Sequence, residues 1–401
     1  MSPNLHDRSE SANASMATPP QLSTDRFALK LGLFYAAYFL FGGIQLPFFP
    51  VWLEAKGLDA GTIGLVIAVP MIARIVAVPF INRAADRRRA LKATLVIIAA
   101  VGTLAMTLVG LVEGAVAILV VFTIAAVAFS PVLSLSDAYA LSGLGTRGRA
   151  YGPVRLWGSV AFIAANVGAG ALLGVINPIH LIWLIVAALV LTTLAAVNLD
   201  SLDAAGSPAD APPASPRQLW SNPALLAVAA AASLIQGSHA LFYGFSTLEW
   251  LAAGISGTTI GVLWGIGVLA EIVLFAFSAR LTVGPAVLLM IGAAGAVLRW
   301  GAMAFDPPAA VLPVLQLLHA ASFGAAHLGA MGFLARAVPR ELAATAQGLV
   351  ATASGIVMAA ATGLSGLIYA ASGSLAYLVM AAMGLAGFAC AVIAHRLLRR
   401  S

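Results

Sequence analysis

Charged residues and cysteine are both scarce in this sequence. Only 9% of its 401 residues are charged, against about 25% in soluble globular domains, which excludes an ordinary water-exposed surface. The one cysteine, Cys390, excludes a disulfide framework and a thiolate metal site. HExxH, GxSxG and paired-aspartate arrangements do not occur either, so nothing in the sequence favours an enzyme or a bound cofactor.

Hydrophobic residues dominate the sequence instead. They form 61% of the chain, and the mean hydropathy is +0.99. A helix needs about twenty mostly apolar residues to cross the hydrocarbon core of a bilayer. The sequence predicts an all-α membrane protein with twelve such helices, near 28–52, 60–82, 93–112, 115–138, 151–173, 178–198, 223–250, 257–279, 284–304, 308–333, 342–370 and 374–396.

The basic residues predict the orientation, because Lys and Arg in short loops stay on the cytoplasmic side. With one exception, Lys56, the loop and tail residues of this type fall on one side of the predicted bundle: Arg26, Lys30, Arg83, Arg87, Arg88, Arg89, Lys92, Arg147, Arg149, Arg217, Arg280, Arg336, Arg340, Arg396, Arg399 and Arg400. Both termini are therefore expected in the cytoplasm, with the chain in a bacterial inner membrane. This bias also accounts for the net charge of +6 without a nucleic-acid partner.

Composition divides the chain into four parts. Residues 1–26 are rich in Ser, Pro and Asn, which predicts a disordered cytoplasmic tail. Residues 200–219 are rich in Pro, Ala, Ser and Asp, a composition typical of linkers. The remaining ranges, 27–199 and 220–401, are then two halves of six helices each.

The two halves share sequence at their second helices. TIGLVIAVPMIARIVAVPFINR (62–83) aligns without a gap on TIGVLWGIGVLAEIVLFAFSAR (259–280), and Arg74 falls on Glu271. Chance similarity between apolar helices is the alternative. Parallel six-helix repeats with a site between them at mid-membrane depth are typical of alternating-access transporters.

A weaker match joins the fifth and eleventh helices. It places YGPVRLWGS (151–159) on QGLVATASG (347–355), with Gly152 over Gly348. Both matches predict the same thing, a pair of halves related by a pseudo-twofold axis.

Five ionisable residues lie within the apolar helices: Asp137, Arg155, Glu271, Arg299 and His319. A charge near the bilayer centre costs roughly 3 kcal/mol or more, so such residues usually face a polar cavity and function there. A purely structural ion pair between Asp137 and Arg155 is the alternative for those two, and ordinary packing is the alternative for His319.

Aromatic and polar residues are spaced to face the same cavity. Tyr35 and Gln45 lie on one stripe of the first helix, His239 and Tyr243 share a stripe of the seventh, and Trp264 lies nearly two turns before the acidic residue of the eighth. Aromatic walls with a few polar groups are the usual form of a small-molecule site. Interhelical packing is the competing interpretation.

Several segments together resemble a known family. They are LPFFPVWLEAKGL (46–58), DAYAL (137–141), YGPVRLWGSVAF (151–162), YGFSTLEWLAAG (243–254), GVLAEIVLFAFS (267–278), LRWG (298–301) and LQLLHAASFGAAHLGAM (315–331). The chain resembles the major facilitator superfamily, and within it the proton symporters that take up lactose and, more closely, 3-phenylpropionate.

The resemblance implies roles for the intramembrane charges. Asp137 and Arg155 match positions that bind substrate, and Glu271, Arg299 and His319 match positions that bind substrate and couple it to protons. Glu271 is the first choice for the proton carrier.

Three positions depart from the lactose-type pattern. Ser322 replaces the acidic residue that follows the family histidine, Phe162 replaces a tryptophan that stacks on the sugar, and His239 replaces an aspartate. These changes argue against a galactoside and leave an aromatic monoacid open. The resemblance also implies that Asp86 and Arg87, in the loop after the second helix, control conformational exchange; a basic loop that only fixes topology is the alternative.

The sequence thus predicts a secondary transporter, with a small-molecule substrate, protons and the lipid bilayer as partners and no metal. Proton-coupled import of a small aromatic acid is the first hypothesis. Symport of a nucleoside or sugar, proton-driven export of small molecules and a non-transporting scaffold stay open; the fifth helix lacks the Gly-Pro motif of many exporters. The sequence does not fix the oligomeric state and is compatible with a monomer.

Overall fold

The computed structural model describes residues 26–88, 90–202, 219, 221–339 and 342–399; in helical residues 85–88 and in residue 344 the side chains are not described. Within this part of the chain every regular element is a helix. The predicted tail up to residue 25 and most of the predicted linker lie outside it.

Twelve helical segments cross the bundle in the described residues. Eleven stretches are long and apolar enough to span a membrane, and the last of these contains two helices. We number the segments α1 (Arg26–Ala55), α2 (Ala60–Arg88), α3 (Leu91–Leu111), α4 (Ala115–Phe129 and Val132–Gly145), α5 (Tyr151–Leu173), α6 (Leu181–Asn198), α7 (Pro223–Gly237 and Ala240–Ala252), α8 (Gly257–Phe277), α9 (Pro285–Met303), α10 (Leu312–Leu317 and Ala326–Ala337, with a π-helical turn over Ala320–Ala325), α11 (Ala343–Ser372) and α12 (Tyr377–Leu398).

These bounds confirm the twelve predicted segments, with two clear exceptions. The second helix was predicted to end at residue 82, with Asp86 and Arg87 in the loop after it, whereas α2 continues to Arg88. The prediction ended the fourth helix at residue 138, whereas α4 continues to Gly145. The apolar run stops at Ser134, Ser136 and Asp137, but the helix does not, because polar residues on one face of a helix can still turn towards the inside of a bundle.

The two ends of the bundle differ in charge. One end, here named the basic end, carries Arg147, Arg280 and Arg336, and there Lys30 pairs with Asp200 to join α1 to the chain after α6. The opposite end carries Glu54, Asp59, Glu113, Glu249 and Asp306, with Lys56 paired to Glu113.

Helices α5 and α8, one from each half, touch through backbone at the opposite end. A Cβ atom placed on Gly170 would lie 2.1 Å from the carbonyl oxygen of Gly257, and one placed on Gly261 would lie 2.2 Å from that of Asn166. Small residues four apart allow such close approach between membrane helices. The absence of side chains at these positions is what permits the contact.

Helices α2 and α11 make the same contact at the same end. A Cβ atom on Gly366 would lie 2.1 Å from the carbonyl oxygen of Ala60, and one on Gly64 would lie 3.0 Å from that of Thr362. The constant offsets of the two sequence matches carry the α5–α8 residues onto these residues. The repeat is therefore visible in the contacts, and the pseudo-symmetry predicted from sequence is confirmed.

Together the two glycine contacts close the opposite end. Towards the basic end, the second piece of α4 packs against α1, α3 and α5, and the last piece of α10 packs against α7, α9 and α11, each within its own half. The halves therefore meet at the opposite end and diverge towards the basic end.

Candidate functional site

A cavity of about 350 Å³ lies between the two halves. Its walls are mostly aromatic and aliphatic, and few polar groups reach it. Residues from both halves line it, among them Tyr38, Gln45, Arg74, Phe129, Phe162 and Tyr243.

A smaller recess of about 50 Å³ adjoins this cavity on the side of the second half. It shares Leu46, Phe162 and Tyr243 with the larger space, so these three side chains stand between the two spaces or border both of them. Its own lining brings together Trp264, Arg299, Gln316 and His319, from α8, α9 and α10.

Arg299 is the charged group of the recess. Its side chain is 1% exposed and lies between two rings, with the guanidinium carbon 4.5 Å from the centroids of both Phe242 and Trp300. Its Nη1 donates to His319 Nδ1 over 3.1 Å, and its Nη2 donates to Gln316 Oε1 over 2.6 Å. Both hydrogen-bond partners are neutral acceptors, and a buried cation without an acidic partner favours the approach of an anion.

His319 connects this arginine to Glu271. Because Nδ1 accepts a hydrogen bond from an arginine, which has only donors, the neutral ring carries its proton on Nε2. That nitrogen lies 3.5 Å from Glu271 Oε2. Residues from α8, α10 and α9 thus form a chain of carboxylate, imidazole and guanidinium.

The π-helical turn of α10 begins directly after His319 and contains Ser322. Such turns are rare in proteins overall, and those that occur are often at functional sites. The hydroxyl of Ser322 lies 3.1 Å from His239 Nε2, while His239 Nδ1 lies 3.1 Å from the carbonyl oxygen of Ile235. The carbonyl needs a donor, so Nδ1 carries the proton and Nε2 accepts from the serine.

Asp137 is held by two tyrosines. Tyr35 donates to Asp137 Oδ1 over 2.6 Å and Tyr151 donates to the same oxygen over 2.8 Å. Arg155 lies nearby, with its guanidinium carbon 3.9 Å from the Phe39 ring centroid and 5.4 Å from that of Tyr35. Hydroxyl donors, rather than a direct ion pair with Arg155, therefore satisfy this carboxylate among the described residues.

Arg155 lies within electrostatic range of Glu271 on α8, and so does His327 on α10. No ion pair joins Arg155 to Glu271 among the described residues. The two charges, one from each half, are therefore near enough to influence each other without direct contact.

The structure brings most of the predicted residues to one place. Gln45, Phe162 and Tyr243 line the large cavity, while Trp264, Arg299 and His319 line the recess, as does Gln316, a third polar group there. Behind these walls lie Tyr35, Asp137, Arg155, His239 and Glu271.

Four residues differ from what the sequence indicated or were not assigned to the site by it. Asp86 and Arg87 fall in the last turn of α2, and their side chains are outside the described part of the chain. Phe129 in the cavity wall was missed, because its apolar helix gives no sign of which face is inward. Sequence analysis named Arg74 only as the residue that aligns with Glu271 in the repeat. That alignment indicated its position in the helix but did not assign it to the site.

The sequence is similar to known transporters along most of its length. The model of the MFS_1 like family matches residues 28–379. The chain is 35% identical over 320 residues to the probable 3-phenylpropionic acid transporter of Escherichia coli, covering 76% of this chain and 81% of that protein. It is 28% identical over 330 residues to the maltose permease of Geobacillus stearothermophilus, covering 79% and 81%.

Solved structures show the same fold. The nucleoside transporter NupG matches with a TM-score of 0.77 at 18% identity, over 93% of this chain and 99% of that one. A bacterial homolog of the human lysosomal transporter Spinster, in an inward-facing and unoccupied conformation, matches with a TM-score of 0.75 at 12% identity, over 95% and 99%. This multi-span membrane protein thus has the fold of small-molecule transporters, and the chain belongs to the MFS_1 like family of the major facilitator superfamily.

Proposed function

We propose that this transporter couples the uptake of a small aromatic monocarboxylate, of the 3-phenylpropionate type, to the uptake of a proton. The observation that carries the proposal is the chain Glu271–His319–Arg299, which adjoins an aromatic cavity between the two halves. A relative that is 35% identical bears the name "probable 3-phenylpropionic acid transporter".

The cavity supports a substrate that is flat and mostly apolar. Its volume of about 350 Å³ lies at the lower end of the range of roughly 300–1,000 Å³ found for small-molecule pockets. The rings of Tyr38, Phe129, Phe162 and Tyr243 offer faces on which an aromatic ring can stack. A disaccharide would require many neutral hydrogen-bonding groups, and these walls present few.

The charges of the site support coupling to a proton. With Glu271 ionised, its negative charge offsets the positive charge of the Arg299 guanidinium across His319. Protonation of Glu271 removes that offset in a region of low dielectric constant, where charges act strongly on one another. The site then attracts an anion more strongly, so binding of the substrate anion and of the proton favour each other.

Arg155 and Asp137 are proposed to transmit this change to the first half. When Glu271 accepts a proton, Arg155 loses an anionic neighbour on the other half. The hydrogen bonds from Tyr35 and Tyr151 hold the side chain of Asp137 in place in this region. The arrangement supports a role in substrate binding and in the alternating movement of the halves, which rock around a site at mid-depth in transporters of this type.

Two further parts of the proposal rest on sequence. Asp86 and Arg87 are proposed to govern the exchange between conformations at the basic end, so Asp86→Asn should slow net uptake without changing equilibrium binding. The basic end is proposed to face the cytoplasm of a bacterial cell, because Lys and Arg concentrate there.

The test is proton movement in lightly buffered, de-energised cells that express the protein. Addition of 3-phenylpropionate should make the external medium alkaline. Glu271→Gln should abolish this signal and abolish accumulation against a gradient, while exchange of labelled for unlabelled substrate persists. Glu249→Gln is the matched control, since Glu249 is also an intramembrane glutamate but borders a separate cavity at the opposite end.

Other results of this assay would indicate a different substrate, a different direction of transport or a different proton carrier. Alkalinisation with maltose or uridine in place of the acid would assign a sugar or nucleoside as the substrate. Acidification would indicate proton-driven export. Full accumulation by Glu271→Gln would remove this residue as the proton carrier.

A further inference from the structure

Arg74 is a charged residue in the cavity wall that the mechanism above does not use. It lies on α2 and borders the large cavity. None of the described residues forms an ion pair or a hydrogen bond with its guanidinium, and Tyr38 is its electrostatic neighbour. The guanidinium therefore faces the cavity with all of its donors available.

The position of Arg74 along the helix excludes a surface role. The apolar span of α2 ends at Ala84, ten residues further on, which corresponds to about 15 Å along a helix. A side chain of this length cannot reach the basic end from there. A charge in mid-membrane that neither pairs nor reaches the interface is expected to serve a substrate pathway.

The repeat shows that a counter-ion is missing. Arg74 occupies the position of Glu271, and Glu271 has Arg155 within electrostatic range across the α5–α8 boundary. The residue at the position of Arg155 in the other helix pair, α2–α11, is Ala351. The second half therefore supplies no carboxylate where the pseudo-symmetry would place one.

Arg299, the other arginine in the cavity lining, is partly engaged. Its Nη1 and Nη2 donate to His319 and Gln316, and its Nε has no partner among the described residues. A carboxylate binds an arginine best through two parallel hydrogen bonds. Arg155 also lacks hydrogen bonds among the described residues, but it lines neither the large cavity nor the recess. Arg74 lines the large cavity with its N–H groups free, so it offers that geometry to a substrate.

We propose that Arg74 is the residue that binds the carboxylate of the transported acid, and so determines that the cavity takes an anion. The inference rests on the proposed function and adds the specificity-determining group. The substrate ring would then stack among Tyr38, Phe129 and Phe162, which line the same cavity, while the Glu271–His319–Arg299 chain handles the proton.

The first experiment compares charged and neutral competitors for the same site. Binding of 3-phenylpropionate and of its amide, 3-phenylpropanamide, is measured on purified wild-type protein and on Arg74→Gln. The wild type should prefer the acid by at least tenfold, and in Arg74→Gln that ratio should fall to about one with the affinity for the amide unchanged. Arg74→Lys keeps the positive charge but not the planar guanidinium with its two parallel N–H donors, and should retain part of the preference for the acid.

Arg280→Gln is the matched control, because this arginine lies in the exposed 3-10 turn after α8, over the ring of Phe277 and away from the cavity. It should keep the wild-type ratio. A wild-type ratio in Arg74→Gln would overturn the proposal.

A second experiment leaves Arg74 in place, in case its substitution prevents folding. Met71→Cys, one turn away and also in the cavity wall, is introduced with Cys390→Ser and reacted with a maleimide. The acid should slow this reaction at concentrations at which the amide does not; equal protection by both would overturn the proposal. If the wild type bound no aromatic acid at all, the proposed function itself would fall, whereas acid-coupled proton uptake with no role for Arg74 would overturn only this inference.

Discussion

The glycine contact between α5 and α8 makes a quantitative prediction about conformation. Substitution Gly170→Ala places a Cβ atom 2.1 Å from the carbonyl oxygen of Gly257, where 3.4 Å is an ordinary contact. The two helices must separate by roughly 1 Å, and overpacking of this kind costs about 1–3 kcal/mol. The cost applies only while the opposite end is closed.

The consequence is a shift in population rather than a loss of fold. A penalty of about 1–3 kcal/mol on one of two states changes their ratio by roughly 5- to 150-fold. Gly170→Ala should therefore favour the conformation in which the opposite end is open. Gly168→Ala is the matched control, since a Cβ atom there meets nothing within 4 Å and the gain in helix propensity is the same.

Spin-label distances measure this shift directly. Labels are attached at Val175 and Phe305, two exposed residues at the opposite end in different halves, after replacement of Cys390 by serine. Pulsed electron paramagnetic resonance should show a longer distance population in Gly170→Ala and the wild-type distribution in Gly168→Ala. An unchanged distribution in a folded Gly170→Ala protein would refute the idea that this contact closes the opposite end.

Two further predictions concern hydrogen bonds. Tyr35→Phe and Tyr151→Phe should each weaken substrate binding modestly, and the double variant should lose more than the sum, because the two hydroxyls share one oxygen of Asp137; strictly additive losses in a double-mutant cycle would contradict this. Trp300→Phe removes the 2.9 Å hydrogen bond from the indole Nε1 to the Ser238 hydroxyl, so it should lower the free energy of unfolding by about 1 kcal/mol. The thermal unfolding temperature in detergent should fall accordingly. An equal or higher unfolding temperature would contradict this prediction.

Sequence reasoning identified the helices and the charges because both have strong local signals. An apolar run of about twenty residues has one stable form in a membrane, and a charge inside such a run is conspicuous. The glycines of the closed end could be found in the same way, since Gly64 and Gly261 coincide in the repeat. These features depend on residues close together in the chain or on a direct comparison of two segments.

The features that the sequence did not predict depend on contacts between helices. Asp137 binds tyrosines from α1 and α5, and no spacing along the chain specifies those partners. Likewise, an apolar run does not state its hydrogen-bond register, so the π-helical turn in α10 and the break before His239 in α7 were not foreseen. The guanidinium of Arg74 could be assigned to substrate binding only once the structure showed that the described residues offer it no hydrogen-bond or ion-pair partner.

The π-helical turn of α10 has a consequence for how this helix tolerates insertion and deletion. In a regular α-helix, His319 and His327 would be about 80° apart around the axis, and one extra residue in the turn reduces that difference to about 20°. Both imidazoles consequently face α8, His319 towards Glu271 and His327 towards Phe275. Removal of Ala321 would turn the segment into ordinary α-helix and would leave both imidazoles on the side that faces α8. Chains of this fold that are one residue shorter here should align with a single gap and keep the same residues facing α8.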